Sequence, residues 1–139
     1  MKKIIALSGK AESGKTTTLN ILINLLSIVS DSFEISREYD SMATFSFNDT
    51  RISVCTSGDT GDILQKNIDY FEEQKCDVCV SAIRTKGAGW NLYKEFAKKN
   101  NLEILRISKD DDKTSCRLYA AKLFQMVTSE IDIEVIEVN

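Results

Sequence analysis

An α/β fold is predicted for this 139-residue chain by two features of its apolar pattern. Four short β-rich runs recur, and each is followed by a loop and then a helical pattern, which argues for parallel strands joined by crossover helices. The second of these runs is preceded at once by another β-rich run, with only Asn48-Asp49-Thr50 between them, which reads as a hairpin. The expected architecture is a three-layer sandwich with a mainly parallel sheet and an antiparallel edge hairpin. At 42% hydrophobic residues the chain can bury one core and is short for two ordinary domains, so residues 1–139 are expected to form a single domain.

The elements follow in order. "KIIALS" (3–8) is the first strand, and the helix from about Lys15 to Val29 is apolar except for Asn20, Asn24 and Ser27, so it should be buried on most sides. "ATFSF" and "RISVC" flank the hairpin turn, and "RISVCTS" (51–57) continues as the second parallel strand. A helix from about Asp62 to Gln74 sets Leu64, Ile68 and Phe71 on one face; after the strand "DVCVSAI" (77–83), the next helix repeats this with Trp90, Tyr93, Phe96 and Ala97. Both have the pattern of helices that cover a sheet. "LEILRIS" (102–108) is the fourth parallel strand, followed by a helix from about Thr114 to Ser129. The tail "IDIEVIEV" is read as a closing strand from its β-branched alternation, with a frayed helical end as the alternative. There are no repeats, no low-complexity segments and no proline.

The net charge of -3 comes from 18 basic and 21 acidic residues with no Lys/Arg block, so nucleic acid and anionic membranes are not expected partners. Met1-Lys2-Lys3 leads into an apolar run of about five residues, shorter than a secretory core of roughly 7–15 or a membrane span of ~20. A cytoplasmic protein is expected. Histidine is absent, which leaves Lys, Asp/Glu, Ser/Thr, backbone amides or a metal to carry any chemistry. Cys76 and Cys79 have C-x-x-C spacing, open to half a zinc site or a redox pair. On a strand, however, residues three apart face opposite ways, and Cys55 and Cys116 supply no second pair. Reduced, buried core cysteines are therefore the expectation.

Gly9-Lys10-Ala11-Glu12-Ser13-Gly14-Lys15-Thr16 matches G-x-x-x-x-G-K-[ST], after a strand and at the start of a helix. Glycines at both ends permit positive φ and close approach of backbone to phosphate, so that successive N–H groups and the positive helix end surround an anion. Lys15 is placed to reach the β- and γ-phosphates and the Thr16 hydroxyl to ligate Mg²⁺. Gly9, Lys10, Ala11, Glu12, Ser13, Gly14, Lys15, Thr16 and Thr17 are the expected nucleotide-binding residues. The alternative is an ordinary glycine-rich turn, which has no need of lysine and threonine at those offsets.

With this motif the chain resembles the P-loop NTPase superfamily, whose order of elements it follows over most of its length. The resemblance implies a nucleoside triphosphate with Mg²⁺ at the carboxyl ends of the parallel strands, in an ATPase, a GTPase switch or a small-molecule kinase. The order of strand, loop, helix and hairpin is similar to small GTPases, in which the strand after the hairpin ends in D-x-x-G with its Asp on Mg²⁺. In "CTSGDTGD" Gly58 matches, but Cys55 stands where that Asp belongs; Asp59 is taken as the substitute acid, with Asp62 nearby and Glu12 and Asp40 as further candidates. Ser108-Lys109-Asp110-Asp111 lies at the place of the guanine-reading [NT]-K-x-D motif, with serine in first position. Such an acidic run before a helix is also an ordinary solvated cap. ATP is the expected nucleotide and GTP the alternative.

Lys10 occupies the place of the additional lysine of partitioning-type dimeric ATPases, which usually carry glycines where this chain has Ala11 and Glu12. A homodimer and a plain surface lysine both stay open. Arg84, in the "RTKGAG" loop, either stabilises phosphate charge or only closes a turn. The expected assignment is Lys15, Asp59 and Arg84 as catalytic groups and Thr16 with Asp59 on Mg²⁺, in a protein that hydrolyses ATP slowly. The alternatives are a compact phosphotransferase acting on a small metabolite and a nucleotide-dependent switch that acts through a protein partner.

Overall fold

Strand and helix alternate along the chain as β1 (Lys3–Ser8), α1 (Lys15–Val29), β2 (Ser32–Ser36), β3 (Met42–Phe47), β4 (Thr50–Cys55), α2 (Gly61–Gln74), β5 (Val78–Ile83), α3 (Gly89–Asn100), β6 (Glu103–Ser108) and α4 (Cys116–Thr128). The computed structural model describes residues 3–10, 12–36, 41–87, 89–109, 115–129 and 131. Asp40, Asp110, Asp111, Thr114 and the tail strand expected over "IDIEVIEV", beyond Ile131, lie outside the described residues, as does Ala11 of the glycine-bounded loop.

The six strands form one mixed sheet in the order β2-β3-β4-β5-β1-β6. β1 pairs in parallel with β5 and β6, and β4 with β5, while β2, β3 and β4 make an antiparallel edge. The α/β class and the edge hairpin agree with the sequence pattern. β1 and β5 are buried at all six positions, as strands covered on both faces must be. Side-chain alternation divides them: Ile5 and Leu7 pack with the apolar residues of α1 and α4, Ile4 and Ala6 with those of α2 and α3.

Four features differ from the sequence reading or extend it. β2 is a third antiparallel strand within the stretch assigned to the hairpin and its approach; its mostly exposed positions carry little apolar signal. α1 buries Thr18, Leu19, Leu22, Ile23 and Leu26, but its last turn leaves Ile28 and Val29 at the surface. The strand order, which the apolar pattern leaves open, places β5 between β4 and β1. β4 therefore lies two strand spacings, roughly 9–10 Å, from β1.

The fourth, a correction, concerns the cysteines. Cys76 and Cys79 are joined in a disulfide rather than standing reduced on opposite faces. Cys76 precedes β5, where Lys75 has turned the chain through a left-handed conformation (φ 52°), so strand alternation does not apply to it and both sulfurs reach the α2/α3 side. Cys55 and Cys116 stand outside any disulfide and are buried, as expected. Among the described residues no helix is long and apolar enough to cross a membrane.

Candidate functional site

The glycine-bounded loop leaves β1 between its two parallel neighbours. Gly9 N donates to Ile83 O at 3.2 Å on the β5 side, and Lys109 N donates to Ser8 O at 2.7 Å on the β6 side. The two glycines do different work. A Cβ on Gly9 would overlap the Lys109 carbonyl, so position 9 requires the close approach, whereas Gly14 caps α1 at φ 88°, where an L side chain is strained. Glu12 also takes a left-handed conformation at φ 62°. No side chain caps α1, whose first-turn amides have no intrahelical acceptor.

Lys15 is buried, and its Nζ donates to Gly9 O at 2.6 Å and Lys10 O at 2.9 Å, folding the cation back across the loop. Thr16 is exposed, and its Oγ1 donates to Thr56 O at 3.3 Å. Thr17, Lys10 and Glu12 are exposed around the rim. Ser13 is 1% exposed, and its Oγ has no hydrogen-bond partner. First-turn amides, an ammonium and an unsatisfied buried hydroxyl are a donor set that fits a polyphosphate. For Mg²⁺ the fit is narrower. Thr16 Oγ1 is the oxygen ligand at hand, and no cluster of three or more His, Cys, Asp or Glu capable of holding a metal occurs among the described residues. Burial pushes the Cys55 thiol far above its ordinary 9.0, so it stays protonated and is no substitute ligand for a hard cation.

Asp59 and Arg84 are brought together, and with each other: Arg84 Nε lies 3.7 Å from Asp59 Oδ1, with both side chains more than half exposed. They flank a shallow cleft between the segments that follow β4 and β5, floored by Leu64 and Ile83 and bordered by Lys86 and Trp90. Ile83 pairs with Ser8, so Arg84 leaves β5 level with Gly9. Trp90 Nε1 donates to Arg84 O at 3.0 Å, and the Arg106 guanidinium lies 4.7 Å from the Trp90 ring centre. Asp62, the nearby alternative acid, is an exposed residue of the first turn of α2.

Sequence reasoning missed two groups. Lys109 was assigned to a solvated acidic run; its side chain is instead fully buried, with Nζ donating to Ser13 O at 2.7 Å and lying 5.3 Å from the Tyr119 ring centre. The available signal was position, since a parallel strand's carboxyl end next to β1 must adjoin the loop. The second group is a polar cluster inside the α2/α3 layer. Asn67 Nδ2 donates to Ser57 O at 2.8 Å and lies 3.2 Å from Ser81 Oγ and 3.3 Å from Tyr93 OH; Ser81 and Tyr93 are themselves hydrogen-bonded. Its signal was an asparagine on the apolar face of α2, beside Leu64, Ile68 and Phe71. No family model matches the chain, and no curated protein and no solved structure matches it.

Proposed function

We propose that this chain is a P-loop protein with a three-layer sandwich fold that binds ATP with Mg²⁺ and hydrolyses it slowly. The observation that carries the reading is the loop from Gly9 to Thr16, with Gly14 left-handed at an uncapped helix start, a lysine amine held at its mouth and a buried, unpaired Ser13 hydroxyl beneath. In this reading the α1 amides cradle the β-phosphate. Lys15 exchanges its two carbonyl acceptors for phosphate oxygens, and Thr16 supplies an oxygen to the metal. Mg²⁺, when bound, neutralises charge on the β- and γ-phosphates. The chain's own contribution to in-line attack by water is positioning and positive charge, from Lys15 and from Arg84, which leaves β5 level with Gly9.

A second reading, a phosphotransferase, is favoured by one observation. A cleft holding Asp59, Arg84, Lys86 and Trp90 opens after β5, which Arg84 leaves level with Gly9, and could receive an acceptor hydroxyl in the place of water. Equilibrium binding of ATP and GTP with Mg²⁺, followed by product analysis with labelled nucleotide, tests both readings. Tighter ATP binding and inorganic phosphate are expected. A labelled metabolite in cell extract selects the transferase, a GTP preference reverses the choice of base, and no binding of either nucleotide removes the P-loop reading.

A further inference from the structure

Three polar side chains meet inside the α2/α3 layer. Asn67, Ser81 and Tyr93 are all at most 1% exposed, among Leu64, Ile68, Phe71 and Phe96. Burying such groups is unfavourable unless they are satisfied, and a leucine at position 67 would extend the apolar face of α2 without that penalty. The network does, however, fix one piece of main chain. Asn67 reaches out of the layer to Ser57 O at 2.8 Å. From the other side, Ser41 clamps Thr56 by main chain and side chain alike: Thr56 N donates to Ser41 O at 3.1 Å, and Ser41 N donates to Thr56 Oγ1 at 3.1 Å. Gly58, next in line, packs so closely on the Ala82 carbonyl that a Cβ there would overlap it. The segment 56–58 is thus held on three sides, and the atom it presents to the P-loop is Thr56 O, the acceptor for Thr16 Oγ1.

That hydrogen bond has a defined polarity, because a carbonyl can only accept. The Thr16 hydroxyl proton is committed to Thr56 O, which leaves the oxygen's lone pairs, rather than its hydrogen, for an oxygen-seeking cation. We infer that Asn67 is a positioning residue for the metal side of the nucleotide site. By fixing the Thr56–Ser57 main chain it orients the Thr16 hydroxyl, whose proton the Thr56 carbonyl accepts. The inference rests on the P-loop reading. It leaves Asp59 to its ion pair with Arg84.

The test is calorimetric ATP binding by the intact chain, with Mg²⁺ and with EDTA, the readout being the ratio of the two affinities. Asn67→Leu removes the donor to Ser57 O. Asn67→Thr, one bond shorter, can still meet Ser81 or Tyr93 but cannot reach Ser57 O, and it stands in if the leucine variant does not fold. Tyr93→Phe disturbs the same network while leaving the Asn67–Ser57 bond, so it separates general destabilisation from positioning. Both Asn67 variants are expected to reduce the Mg²⁺ enhancement about tenfold, as removal of a group that orients a metal ligand does, with affinity in EDTA unchanged. Tyr93→Phe is expected to lower the melting temperature and keep the enhancement. If Asn67 variants that fold retain the full enhancement, or if Asp59→Asn abolishes it while they do not, the inference is overturned. If the parent binds no ATP in either buffer, it is the P-loop reading that fails.

Discussion

Lys15 shows how much one residue can be asked to do. Its amine donates to Gly9 O and Lys10 O, so the cation is held at the loop and, in the proposed nucleotide reading, would only change acceptors on meeting phosphate. Lys15→Ala is expected to keep the fold and to weaken ATP binding roughly tenfold to a hundredfold, the equivalent of a charge-assisted contact of about 1.5–3 kcal/mol; titration calorimetry with parent and variant checks this. Gly58 makes the opposite case, in which a missing side chain matters. Because a Cβ would meet the backbone carbonyl of Ala82, which cannot rotate away, Gly58→Ala should cost about 1–3 kcal/mol, read from the urea midpoint. Asp59 and Arg84 were chosen from the sequence separately and meet in space, joined in one ion pair. No spacing rule announces that partnership, since it depends on two loops from different strands.

At the level of elements, the helices around the site begin differently. α2 is capped locally: Thr60 Oγ1 accepts from Ile63 N at 3.2 Å, and Asp62 stands in the first turn. α1 has neither a side-chain cap nor an acid in its first turn, the kind of helix start that the proposed anion site calls for. Thr60→Ala is expected to lower stability by about 1 kcal/mol in chemical denaturation, as loss of an N-cap does. A serine at position 60 should recover most of that. The apolar patterns that predicted α2 and α3 are the ones the sheet buries, at Leu64, Ile68 and Phe71 and at Tyr93, Phe96 and Ala97. β2 escaped notice because an exposed edge strand needs few apolar residues to hold its place; it is held by pairing with β3.

Across the whole molecule, two buried acids link stability to pH. Burial pushes Tyr93 well above its ordinary 10.0, with hydrogen bonds from Ser81 and Asn67 opposing, and burial likewise raises Cys55 above its ordinary 9.0. For a group whose folded pKa is raised, the unfolded chain ionises first. The stability these groups confer is therefore complete below pH 9 and falls as the pH climbs past 9 for the thiol and past 10 for the phenol, by up to about 1.4 kcal/mol per pH unit for each group. Denaturation midpoints measured from pH 7 to 11 should decline above pH 9, and Tyr93→Phe should flatten the limb above pH 10. A midpoint constant to pH 11 would contradict the burial of both groups.

The sequence by itself determined the α/β alternation, the hairpin at Asn48-Asp49, the buried faces of the middle helices and the loop from Gly9 to Thr16, all of which are local. Strand periodicity, turn chemistry and a lysine one residue after a glycine at a helix start are written within some ten residues of one another. What only the tertiary structure decided depends on which strands become neighbours. β5 lies beside β1, with β4 one place further out, so Arg84 leaves its strand level with Gly9 and Asp59 meets Arg84. Lys109 is buried beneath the loop because β6 is the other neighbour of β1. The oxygen beside Thr16 is a main-chain carbonyl, which every residue possesses and no residue type can signal. Asn67 shows the same limit: its place on an apolar helix face was visible, but its partner, Ser57 O, comes into reach only when α2 folds back over the end of β4.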